Sequence, residues 1–254
     1  MNKTILTLVV AAFLATNARA ALLLSDDFNS YPDGSLVGAP GSPWIHHSGS
    51  TTGEVNVVSG RVSLTSSETE DVSAALSGGP YSAGSGVTLY TSFTVSFSSL
   101  PNNAGTYFAH FRDSTNGFRD RIWASTTGAA PGEFRIGIGN GSSATALSGQ
   151  VTADLSLNTT YLVVTRYDIS ANQSTIWLDP TAETDPNVTA SDLSTPLDVN
   201  TLAFRQNAGM GTLLLDDVKV GPTFADVVPE PSALALLALG AVGLFARRLR
   251  RRIR

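Results

Sequence analysis

The chain has 254 residues, 16 Lys and Arg against 21 Asp and Glu, a net charge of −5 and no cysteine; a disulfide framework, a thiol nucleophile and a Cys-ligated metal are therefore excluded. The charge is uneven: Lys3, Arg19 and six arginines beyond residue 246 lie at the two ends, leaving eight basic and twenty acidic residues over 21–228. So acidic a stretch is poorly suited to nucleic acid or anionic lipid, both of which need basic surface.

The N-terminus reads as an export signal. Lys3 precedes an apolar run over 5–15, and Ala18, Arg19 and Ala20 form a small-x-small site. Residues 1–20 are thus expected to be a signal peptide cut by signal peptidase after Ala20. The run is too short to span a bilayer, and no stop-transfer pattern follows.

Residues 21–228 are expected to form one extracytoplasmic all-β domain. Val87, Leu89, Thr91, Phe93, Val95 and Phe97 recur at every second position, the period of a half-buried strand. Further short strands are expected over 107–112, 118–124, 134–139, 160–169, 175–178, 202–205 and 213–220, punctuated by Gly, Pro, Asn and Asp. That pattern points to an antiparallel β-sandwich. The turn-rich stretch 179–196 reads as a surface loop, and 224–228 as a short lead into the tail. No segment before Ser232 has the start and stop signals of a long helix.

The C-terminus has three blocks. Pro229, Glu230 and Pro231 form a polar hinge hostile to helix, 232–246 is apolar and uncharged, and Arg247, Arg248, Arg250, Arg251, Arg252 and Arg254 follow. At about 1.5 Å per residue the apolar block covers roughly 20–25 Å as a helix. Leu249, Ile253 and snorkelling arginines extend it toward the ~30 Å of a hydrocarbon core. A single transmembrane helix is expected, its arginines held in the cytoplasm as a membrane stop. An amphipathic helix lying on the lipid surface fits less well, because apolar and basic residues occupy separate blocks.

The tail 229–254 resembles the PEP-CTERM sorting signal of Gram-negative bacteria, a segment also catalogued as an ice-binding-protein C-terminal domain. The resemblance implies recognition by an exosortase and processing near Pro229, Glu230 and Pro231. It also implies an exported protein, held at the inner membrane during sorting and then placed at the cell surface or in an extracellular, biofilm-associated matrix. Residues 22–226 resemble the concanavalin A-like, laminin-G-like jelly roll. The resemblance is carried by Asp26-Asp27-Phe28 with Tyr31-Pro32-Asp33-Gly34, by the pair 161–168 and 175–178, and by 215–221. It implies that the first and last strands lie side by side, bringing Asp26 and Asp27 near Asp216 and Asp217.

Those four aspartates are the candidate site for a possible structural calcium, which takes six to eight oxygen ligands. The competing reading is solvated or turn-capping strand ends. Trp44 and Trp123, with Tyr107 and Trp177, are candidate sugar-stacking rings, against a core role. Glu68 and Glu70, two apart, could converge for glycoside hydrolysis. Their segment departs from the Glu-x-Asp-x-x-Glu of the β-glucanases and also reads as a polar turn. His46 and His47 read as loop residues, and Arg112, Arg119 and Arg121 as counter-charges to Asp113 and Asp120. No catalytic constellation stands out. The expected function is a lectin-like surface or matrix protein, non-catalytic, binding extracellular polysaccharide or structural. The alternative is a polysaccharide hydrolase or lyase.

Overall fold

A computed structural model describes residues 22–141 and 147–228. The expected signal peptide, the Pro229-Glu230-Pro231 hinge, the transmembrane helix and the arginine stop all lie outside them. Among the described residues no helix is long and apolar enough to cross a membrane.

Sixteen strands form the domain: β1 (Leu24–Asp26), β2 (Gly34–Ser35), β3 (Ile45–Ser48), β4 (Asn56–Val58), β5 (Arg61–Thr65), β6 (Asp71–Ala75), β7 (Thr88–Ser99) and β8 (Thr106–Arg112), followed by β9 (Phe118–Ser125), β10 (Arg135–Gly139), β11 (Gly149–Gln150), β12 (Thr160–Asp168), β13 (Gln173–Leu178), β14 (Asn187–Thr189), β15 (Thr201–Arg205) and β16 (Thr212–Gly221). One sheet has nine strands in the order β14-β13-β12-β7-β16-β5-β4-β2, with β1 also on β16. The other has seven, in the order β11-β10-β9-β8-β15-β6-β3. All-antiparallel pairing in two sheets is the expected β-sandwich. As expected, the first strand lies on the last, with Leu24 opposite Val220 and Asp26 opposite Val218.

Alternation decides which side chains fill the space between the sheets. Leu89, Phe93, Val95 and Phe97 of β7 meet Phe108, Phe111, Ile122, Ile136 and Phe204 of the seven-stranded sheet in one buried cluster. Phe93 and Phe97 stand edge-on to Phe108, at 6.0 and 5.9 Å. Each such ring removed from water is worth about 1.5–3 kcal/mol.

Two expectations change. Residues 71–73, read within a polar turn over 68–73, belong instead to strand β6, nearly all buried, between β15 and β3. The stretch 179–196 carries β14, which pairs with β13. Its three residues are too few to show a period.

Helix α1 (Phe224–Val227) closes the domain, started by a capping box in which Thr223 and Asp226 each receive the other's backbone N–H. Phe224 and Val227 pack with Tyr90, Val164, Trp177 and Val228 in a second cluster. Tyr90 and Val164 alternate with the inward residues of β7 and β12, so this cluster lies on the outer face of the nine-stranded sheet. The Ser92 hydroxyl donates to the Val227 carbonyl at 2.7 Å, fixing the start of the tail there.

Asp120 of β9 points between the sheets, 2 % exposed. The Thr165 hydroxyl donates to its Oδ2 at 2.5 Å. Burial pushes its carboxyl up to about 7, against the partial relief of the Thr165 and Ser174 hydroxyls. The unfolded chain releases this proton near 3.8. The stability carried by the neutral acid is therefore complete below that value and is lost as pH rises toward about 7. The loss runs at about 1.4 kcal/mol per pH unit. Chemical denaturation across pH 4–7 is expected to show that slope in the wild type, and Asp120→Asn to remove it.

Candidate functional site

The aspartate cluster forms as expected. β1 and β16 bring Ser25, Asp26, Asp27, Ser30, Tyr31, Asp217 and Lys219 around a polar cleft of about 440 Å³. Asp217 sits at a bulge of β16 with φ of 52°, a left-handed conformation that aspartate tolerates. Burial raises the Asp216 carboxyl above the usual range, helped by the nearby charges of Asp217 and Asp27. Asp26, however, is 8 % exposed, and both its oxygens are taken. Oδ1 accepts from the Phe28 amide at 3.0 Å. Oδ2 accepts from the Tyr31 hydroxyl and the Trp44 indole N–H, both at 2.8 Å. Among the described residues no three acidic or histidine side chains gather as a metal set. Asp26 is thus a structural acceptor that ties the first strand to Tyr31 and Trp44.

Trp44 is corrected by the same contacts. It is 1 % exposed and stacks on Phe204, with ring centres 4.6 Å apart and planes at 17°. With its indole bonded to Asp26, it has no face to offer a sugar. Glu70 is likewise buried, and accepts from the amides of Gly53, Glu54 and Val55 at 2.7–3.0 Å. His46 Nδ1 lies 3.2 Å from the same carboxylate. Glu70 and Glu68 therefore do not form an open acidic pair.

Trp123 lies elsewhere, on the outer face of the seven-stranded sheet. Ile122 and Ala124 of β9 face the core, so Arg121 and Trp123 face away from it. Register brings Tyr107 of β8 opposite Trp123, with ring centres 5.5 Å apart. Gly105 permits this approach: a Cβ there would stand 2.1 Å from the Ala124 carbonyl oxygen. Irregularities in β8 between Tyr107 and Ala109, and between Ala109 and Phe111, turn His110 onto the same face. His110 stands edge-on to Tyr107 at 5.3 Å and to Phe118 at 4.6 Å, and its ring is 6.3 Å from that of His47. The Tyr107 ring also meets two guanidinium groups, Arg205 at 4.4 Å and Arg121 at 5.0 Å. Arg121 lies 5.2 Å from the Trp123 ring as well.

The electrostatics of this cluster are unusual. Burial pushes the His47 imidazole down to about 4, helped by Arg112 and His46. Burial holds His110 well below the usual range, helped by His47, Arg205, Arg112 and Arg121. Both rings are neutral at pH 7, each with one donor and one acceptor nitrogen. Among the described residues, neither nitrogen of either histidine has a hydrogen-bond partner, and neither do Trp123 Nε1, Ser73 Oγ or the three guanidinium nitrogens of Arg121.

The expectation that Arg121 answers Asp120 fails because successive strand residues point to opposite faces. Sequence reading singled out Trp123 and Tyr107 as rings, but took Arg121 as a counter-charge and His47 as a loop residue, whereas His47 lies on β3, and it joined neither His110 nor Arg205 to them. The signal present was Arg121-x-Trp123 at strand spacing. The irregularities in β8 that align His110 with Tyr107 leave no mark in the residue pattern.

Comparisons with known proteins place both parts of the chain. The body has the fold of the concanavalin A-like jelly-roll sandwiches. A solved sialidase superposes with a TM-score of 0.52 at 16 % identity, over 82 % of this chain and 19 % of that one. Lectin UEA-II complexed with galactose gives 0.48 at 14 % identity, over 79 % and 99 %. The exoplasmic domain of VIP36 with calcium and mannose gives 0.44 at 15 %, over 72 % and 84 %. The chain spans only about a fifth of the sialidase. At such identities the likeness speaks for the fold alone. The end of the chain carries the PEP-CTERM protein-sorting motif, matched over residues 227–252. No curated protein matches the sequence.

The two tryptophans are expected to separate on mutation. Asp26→Ala leaves the buried indole N–H of Trp44 unpaired and is expected to cost about 3 kcal/mol in urea unfolding. Trp44→Ala, which empties core volume, is expected to cost about 3–5 kcal/mol. Trp123→Ala is expected to cost less than Trp44→Ala.

Proposed function

We propose that this is an exported surface protein, sorted and processed through its PEP-CTERM tail by an exosortase, whose jelly roll binds extracellular polysaccharide without cleaving it. The binding face is the outer side of the seven-stranded sheet. One observation carries this reading: aromatic rings and polar groups without partners share that face. Pyranose rings present apolar faces for stacking and hydroxyls for hydrogen bonds, and buried polar groups lacking partners are costly in any other role. The strands of this sheet carry only two carboxylates, Asp71 and Asp120. Asp120 faces the core, and Asp71 accepts from Ser48 and from the Gln206 amide. Hydrolysis needs two carboxyls across the sugar bond, which supports binding over cleavage.

The tail sets the address. Its match to the sorting motif begins at Val227, on the back of the nine-stranded sheet, so the start of the motif and the proposed binding face are on opposite sides of the domain. The matrix role and the membrane anchor belong to this proposal. For a structural calcium, Asp27 and Asp217 remain in one cleft with Lys219, whose ammonium competes for the same carboxylates. Among the described residues no three ligating side chains gather there, so the cleft lacks the carboxylate set that would anchor the ion, and no step is assigned to it.

Three measurements test the reading. A glycan array probed with the full chain in detergent is expected to show binding that Trp123→Ala weakens and Asp27→Asn leaves unchanged; silence across bacterial and plant polysaccharides would refute glycan binding. Added calcium is expected to leave the Tm unchanged. On intact cells of the native host, added protease is expected to reach the domain, and a chain ending at Val228 is expected to lose that location.

A further inference from the structure

The basic residues of the domain are not scattered. Of the eight over 21–228, five lie on the seven-stranded sheet: Arg112, Arg119, Arg121, Arg135 and Arg205. Only two of the twenty acidic residues lie on those strands. A domain of charge −12 thus keeps one sheet with an excess of cations.

Four of the five arginines have acceptors in the protein. Arg112 donates to the Thr115 carbonyl at 2.8 Å and Arg135 to Asp154 at 2.6 Å. Arg205 donates to Thr106 Oγ1 at 2.9 Å and lies 3.9 Å from Asp71. Arg119 donates to Asn172 and to the Thr195 carbonyl, both at 3.0 Å. Arg121 has none among the described residues, yet it is 0 % exposed. Its contacts are the π faces of Tyr107 and Trp123.

A buried, unpaired guanidinium is costly, and the flanking rings return only about 0.5–2 kcal/mol. Asp192 gives some electrostatic relief without a hydrogen bond, and the nearby charges of Arg205 and Arg119 oppose it. A guanidinium presents a planar fork of donors that fits a carboxylate or a sulfate oxygen pair. The rings beside it, Tyr107 at 8 % and Trp123 at 4 % exposed, would meet the apolar face of a sugar only after the side chains over them move. His47, Arg112 and Arg205 border the cluster and are part-exposed, and a saccharide would have to displace them to reach it.

We propose that the saccharide bound by this face is anionic, and that Arg121 is the binding residue that receives its acid group while Tyr107 and Trp123 hold its ring. The proposal rests on the reading of this sheet as a glycan-binding face, and its test separates the two.

Titration calorimetry with the full chain in detergent would compare a polyuronate, dextran sulfate, neutral dextran, a neutral β-glucan and polyglutamate. Wild type is expected to prefer a charged polysaccharide over its neutral counterpart and over polyglutamate by tenfold or more. Preference for the polyuronate identifies a carboxylate as the acid group, and preference for dextran sulfate a sulfate. Arg121→Met, close in volume, is expected to lower that affinity at least tenfold, and Arg121→Lys to restore part of it. The Tm of Arg121→Met is expected to stay level or rise, because an unpaired charge leaves the interior. A falling Tm with unchanged affinity would make Arg121 a structural residue and overturn the proposal. Equal binding of neutral and charged glycans, unaffected by Arg121→Met, would overturn it while leaving glycan binding intact. Binding to polyglutamate as tight as to either charged glycan would also overturn it. Binding to none of these polymers would overturn it together with the reading beneath it.

Discussion

The sandwich closes on β16. Its inward residues Leu213, Leu215, Val218 and Val220 belong to the shared core, while its backbone pairs with β7 on one side and with β5 and β1 on the other. A strand bonded on both edges and packed on one face fixes the register of every neighbour, because a one-residue slip would turn its apolar set outward. Asp26 reinforces the closure. A single carboxylate collects an amide, a phenol and an indole, and so holds the first strand, which lies on β16, against Tyr31 and Trp44.

Much of this architecture is legible in the residue pattern. The long strands β7, β12, β13 and β16 announce themselves through alternating Val, Leu, Phe and Tyr, and the pairing of first and last strands follows from the jelly-roll resemblance. The short strands do not. β6 is disguised because Asp71 and Ser73 are polar residues on a buried strand, the first partnered by Ser48 and the Gln206 amide. β14 has only three residues. The site was harder still. Clustered aspartates look like ligands in a sequence, but a carboxylate's role depends on what donates to it, and Trp44 is 18 positions away from Asp26. Trp44 and Trp123 are indistinguishable as letters. They differ only in which face of a sheet each occupies.

The outer face of the seven-stranded sheet combines features that folding alone does not favour. Among the described residues, neutral histidines without hydrogen-bond partners and a buried arginine without an acceptor both oppose stability locally. Such costs are tolerated where the surrounding structure over-determines the fold, and they concentrate where a ligand completes the set. Local and global charge also point in different directions here. The domain as a whole carries a charge that repels polyanions at long range, while one sheet keeps an excess of cationic donors, and the proposed anionic ligand would have to overcome the first to reach the second.

The seat of helix α1 has a mechanical consequence. The chain leaves the domain through Phe224, Val227 and Val228, packed over Tyr90 and Trp177 and joined directly to the end of β16. A load on the tail therefore reaches the middle of the nine-stranded sheet rather than an edge strand. It would have to slide β16 lengthwise past neighbours on both sides, straining many hydrogen bonds at once instead of peeling them apart one by one. A protein tethered at that point can be pulled by whatever it holds without unravelling from its attachment.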